Sequence, residues 1–359
     1  MVDWSLAERV ADVVAGAELP GAGTPAGPAP PPLPTDLDER AARAREAVIG
    51  YTQLEPGRPL PPIEPVDRSA WARANLGTMR STLSPLLERM DQRTGALAGP
   101  LRAAGGMVMA VEVGGLVGLM GRRVLGQYEL ALLDAQAPVR LLLVAPNLRD
   151  AARELEVDLD ELTTWVVVHE VTHAVQFTAV DWLQDHLGGM LRELLGSVDV
   201  SIDPAALLRL PSREDLTALW DSLRDGGLVT AVAGPERRAL IDRVQATMAL
   251  VEGHAEHVMD AAGAPMLSDL RSLRSALDRR RRERPPVWRL LERLLGLDLK
   301  LRQYEVGRRF CDGVVQRGGI TALNRAWVRP ELLPTLAELD DPAAWMRRTS
   351  VRSITSADG

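Results

Sequence analysis

Thiols, lysine and large rings are scarce in this chain of 359 residues, and each scarcity excludes something. A single cysteine, Cys311, rules out an intramolecular disulfide framework and any Cys-rich zinc finger. Lys300 is the only lysine, so basic charge is carried by arginine, and the net charge of -7 predicts no attraction to polyanions and no nucleic-acid partner. No charge-free apolar run reaches the roughly 20 residues of a membrane span. The nearest, "AAGGMVMAVEVGGLVGLM" at 103–120, is broken by Glu112 and diluted by five glycines, and reads as a buried, close-packed helix. The amino terminus, "MVDWSLAERV", has an acidic residue where a secretory signal would be basic, so a cytoplasmic protein without a membrane partner is expected. With 46% hydrophobic and 25% charged residues the composition is that of a globular protein of one or two domains.

Periodicity predicts a mainly α fold. A short amphipathic helix at 4–15 is followed by "ELPGAGTPAGPAPPPLPTD", a Pro/Gly/Ala-rich linker with no pattern. Helical spacing resumes at 37–52, and a second Pro-rich stretch ends in Asp67, a plausible N-cap for a helix from Arg68. Further helices are predicted at 68–91, 103–120, 158–177, 180–195, 213–225, 235–260, 266–282 and 319–327. The exception is 124–145, where "VLGQYELALL" and "VRLLLVAP" flank "DAQAP" and predict a small antiparallel β hairpin. The domains expected are 1–36 as helix and linker, 37–345 as the main domain, and 346–359 as a flexible tail. The run "RRRRER" at 279–284 reads as the solvated C-terminus of a helix.

The chemistry is concentrated in few residues, since the chain has only five histidines. Two lie in "VVVHEVTHAVQF". On a helix His169 and His173 stand one turn apart on the same face, so both imidazoles can reach one ion. Glu170 is rotated about 100° from His169, which lets it flank a metal-bound water as general base without binding the metal. By chance this H-E-x-x-H pattern would arise in on the order of one chain in a few hundred of this kind. A zinc hydrolase needs a third protein ligand. A second cluster, "ALVEGHAEHVMD", supplies Glu252, His254, Glu256 and His257 on an otherwise apolar helix, and spacing alone leaves all four open. A di-metal bundle would need paired E-x-x-H motifs on different helices, and only "EVTH" is present.

These segments resemble the gluzincin-type zincin metallopeptidases, whose third ligand is a glutamate on a later helix. In the aminopeptidase branch that residue opens an E-G-x-A pattern, which "EGHA" at 252–255 matches. The run "HEVTHAVQF", "EGHAEHVMD" and "RQYEVGRRF" is similar, over about residues 40–345, to the bacterial zincin-like metallopeptidase type 2 family, some of whose members carry a coenzyme F-420 biosynthesis label. The resemblance implies a zinc-dependent helical metallohydrolase that cleaves peptide or protein substrates. It implies His169, His173 and Glu252 as ligands to Zn2+, Glu170 as base, and Glu256 as a carboxylate that orients a ligand histidine. Tyr304, with Arg302 and Arg308 as rivals, is a candidate donor to the transition state. The hairpin would offer an edge strand to an extended peptide. The competing expectation is a zincin fold that binds metal without turnover and acts as an interaction module.

Overall fold

A computed structural model describes residues 2–16, 32–93, 99–130, 132–133, 138–196, 235–282 and 298–355. The chain is mainly α with one small sheet, as its periodicity predicts. In order the elements are α1 (Trp4–Gly16), α2 (Leu37–Thr52), β1 (Ile63–Val66), α3 (Arg68–Arg93), α4 (Gly99–Gly121), β2 (Gly126–Glu129) and β3 (Arg140–Val144). They continue with α5 (Ala145–Leu155), α6 (Leu159–Ala179), α7 (Asp181–Gly196), α8 (Pro235–Gly263), α9 (Leu270–Arg282), α10 (Asp298–Asn324) and α11 (Pro342–Thr355). The helix predicted at 213–225, the patternless linker core at 17–31 and the end of the arginine run lie outside the described residues. No described helix is long and apolar enough to cross a membrane.

Contacts divide the chain into two compact units. One comprises Met1–Ala47, Arg58–Val175 and Gly263–Ala276, and the other Val48–Gly57, Gln176–Ala262 and Leu277–Gly359.

In the first unit, aspartates set the helix starts. The Asp67 carboxylate accepts from the amide of Ala70 at 2.6 Å, and that of Asp158 from Glu161 at 3.0 Å, each satisfying an orphan first-turn donor. Helix α4 is close-packed on one side only. A Cβ at Gly114 would meet the Ala7 carbonyl oxygen at 2.3 Å and one at Gly118 the Ala11 carbonyl oxygen at 2.8 Å, so glycine lets α4 lie against α1. The expectation of a wholly buried helix is corrected here, since Met107, Val108, Met109 and Val111 are exposed.

The predicted hairpin is present: β2 pairs antiparallel with β3, with Tyr128 opposite Leu141. A third strand, β1, lies within the second Pro-rich stretch and pairs parallel with β3. The sheet order is β1-β3-β2, so Pro65 stands on an edge strand, where its missing N–H breaks no ladder. Helix α6 packs in this unit with Val166, Val167, Val168, Val171 and Ala174 all buried. It is therefore buried nearly all round, and its polar side chains must be paired or put to use.

In the second unit, α8 and α10 cross glycine on glycine. A Cβ at Gly253 would lie 2.1 Å from the Gly307 carbonyl carbon, and one at Gly307 would lie 1.8 Å from the Ala249 carbonyl oxygen. Helix α10 begins about 20 residues before the helix predicted at 319–327; what sequence registered was its break at Gly319, whose φ is 72°. Helix α11 takes in residues 346–355 of the stretch expected as a tail, and 356–359 lie outside the described residues. Trp345 anchors it, fully buried, with its indole donating to the Leu332 carbonyl at 2.8 Å, and Arg348 donates to Glu338 at 2.6 Å. Burial alone would raise the Glu338 carboxyl, but Arg348 and the Thr335 amide outweigh it and hold its pKa below the usual range.

Candidate metal centre

Helix α6 presents Trp165, His169 and His173 at four-residue spacing, hence on one stripe. The Trp165 and His169 rings stack at 6.2 Å with planes 9° apart, which fixes the first imidazole, and the His173 ring meets it edge-on at 4.7 Å. The two Nε2 atoms face each other at 3.2 Å. Two nitrogens bound at about 2.0–2.1 Å to one tetrahedral ion stand about 3.3 Å apart, so this imidazole pair fits a shared metal. His173 is buried, at 8% exposure.

Glu252 completes the group. The ligand atoms of His169, His173 and Glu252 all lie within 4.8 Å of one another, and two imidazoles with one carboxylate are the donor set of a borderline divalent ion with a position left open.

Two of the rival side chains on α8, His254 and His257, have other partners. His254 is fully buried with its ring edge-on to Trp327 at 5.3 Å. His257 bridges Tyr51, 2.7 Å from its Nε2, and Asp312, 2.6 Å from its Nδ1. Glu256 is buried one turn beyond Glu252. On α7, His186 is held edge-on to Trp182 at 5.7 Å.

Glu170 is 6% exposed, and its Oε2 accepts a hydrogen bond from the backbone amide of Tyr128 at 2.7 Å. This contact ties α6 to β2, a link the motif alone does not disclose. Strand alternation also puts the Tyr128 side chain on the face of β2 that Gly126 turns toward Glu170. Burial pushes the Tyr128 phenol up, only partly offset by Arg58, so it stays a protonated donor at neutral pH. Tyr128 is the tyrosine that sequence reading passed over; its signal was the glycine two residues earlier in a strand, which marks close approach of another group.

Tyr304 and Arg302 lie on α10, where their side chains fall outside the described residues. Arg308 is engaged by carboxylates, donating to Asp260 at 2.7 Å and lying 3.5 Å from Asp312.

The sequence profile of a family described as zincin-like metallopeptidase matches residues 2–346. A solved structure from Chloroflexus aurantiacus, described as a "putative hydrolase with a novel fold", is 27% identical and has a TM-score of 0.67. The match covers 98% of this chain and 99% of that one. No curated protein matches. With nearly its whole length matched, the chain belongs to the zincin-like metallopeptidase family.

Proposed function

We propose that the protein is a zinc-dependent metallopeptidase. The observation that carries this reading is the gathering of His169, His173 and Glu252 within 4.8 Å, with Glu170 next along the same helix. A zinc ion held by those three residues would polarise a scissile carbonyl and acidify water. Glu170 takes the proton of the attacking water and passes it to the departing amine, work for which a carboxylate near the reacting atoms contributes about 10²–10⁴-fold. Glu256 serves as the buried carboxylate that holds a ligand imidazole in its binding orientation. Tyr304 is our candidate donor to the developing oxyanion, and Tyr128 is a second candidate because its amide is bonded to Glu170.

The substrate is a peptide or protein rather than nucleic acid, which the net charge of -7 would repel. The same composition, with one buried free thiol, suits a cytoplasmic site of action. Metal removal tests the reading. Treatment with a chelator should abolish cleavage of an internally quenched peptide library, and stoichiometric Zn2+ should restore it. Cleavage indifferent to metal removal, or no cleavage by the zinc-loaded protein across a broad library, would overturn it.

A further inference from the structure

We propose that Gly126 is a positioning residue: its bare α-carbon and the amide of Tyr128 together fix the direction of the Glu170 carboxylate. This rests on the reading of Glu170 as the base. Among the described strands β2 is bonded to β3 alone. The Val144 amide donates to the Leu125 carbonyl at 2.9 Å, which sets the antiparallel alternation. From that pair onward, Gln127 and Glu129 turn their amides to β3 while Gly126 and Tyr128 turn theirs outward. The outward amide of Tyr128 is the one that donates to Glu170 Oε2, at 2.7 Å.

An independent steric observation concerns the other side of the carboxylate. A Cβ on Gly126 would stand 2.9 Å from both Glu170 Cγ and Oε1, and 2.6 Å from Val166 Cγ1. Real Cβ atoms do not approach other atoms so closely, so any other residue at 126 displaces the glutamate, the valine or the strand. Oε2 is thus held by a donor while Oε1 fills the space that a methyl group would need.

A glutamate side chain has three rotatable bonds, and freezing such a chain costs rotamer entropy. Here the strand edge selects one arrangement of Glu170 before any substrate arrives. The value of that selection follows from how steeply catalysis depends on placement, since an error of about 1 Å costs on the order of 10²-fold.

The test uses the zinc-loaded full chain with Gly126→Ala, Val166→Ala and the double variant. In Gly126→Ala bound zinc should remain stoichiometric, and exchange of the Tyr128 amide should accelerate at least about tenfold as its acceptor is lost. For one peptide drawn from the cleaved library, kcat should fall about 10–100-fold with KM within about twofold. The double variant removes the Val166 contact but leaves the Glu170 contact, so it should not recover. Glu170→Ala removes the acceptor without touching the strand and should accelerate the same amide. Wild-type exchange at Tyr128 in both Gly126→Ala and Glu170→Ala would overturn the proposal, as would restoration of kcat in the double variant. The exchange measurement needs no turnover, so a wild-type protein that cleaves nothing would sink the peptidase reading while this contact is still decided separately.

Discussion

Glu170→Gln should retain stoichiometric zinc and lose turnover by about 10²–10⁴-fold. The side chains are isosteric, so the change leaves the packing of α6 intact. A glutamine carbonyl oxygen can still accept from the Tyr128 amide, the bond that Glu170 makes at 2.7 Å. What disappears is the capacity to carry a proton. The metal should stay because the three gathered ligand atoms belong to His169, His173 and Glu252. Metal analysis and single-turnover kinetics on the same preparation separate the two effects. Full activity in the variant would remove Glu170 from the mechanism.

Gly307→Ala should be among the most destabilising single-methyl additions at the described glycines. The new Cβ would fall 1.8 Å from the Ala249 carbonyl oxygen and 2.6 Å from the Ala249 carbonyl carbon, both backbone atoms of α8. No rotamer change relieves a clash with backbone, so the two helices must separate along their crossing. Overpacking ordinarily costs roughly 1–3 kcal/mol, and this case should reach or exceed the upper end. The same separation would shift Glu252, which precedes the Gly253 of the crossing, and so weaken metal binding. Gly50 on α2 provides the control, since nothing lies within 4 Å of its added Cβ. There, replacement by alanine should stabilise by about 0.5–1 kcal/mol through helix propensity. Urea midpoints measure both, and equal midpoints for the two variants would refute the crossing as described.

Much of this was legible in the sequence, for identifiable reasons. The histidine pair was visible because helical spacing alone makes i and i+4 neighbours. The cap at Asp67 was visible because a carboxylate ahead of a periodic segment has a local partner in the first turn. The hairpin was visible from a turn between apolar runs.

What escaped depends on partners distant in the chain. β1 was hidden by Pro65, tolerated only because tertiary placement puts that strand at an edge. Helix α5 starts immediately after β3 with proline in its first turn, so sequence read the two as one apolar strand end. Helix α11 passed for a tail because its anchor is the burial of Trp345 against Phe310, with ring centroids 5.3 Å apart. At the site, spacing could not choose among Glu252, His254, Glu256 and His257. The choice depends on the direction in which α8 turns each side chain, and the Gly253–Gly307 contact holds one stripe of that helix against α10.

Metal content measured on the purified wild-type chain beside His173→Ala bears most directly on the central claim. One equivalent of zinc in the wild type, and loss of it in a His173→Ala variant that keeps its helical spectrum, is the predicted result. Stoichiometric zinc in that variant would contradict the site itself.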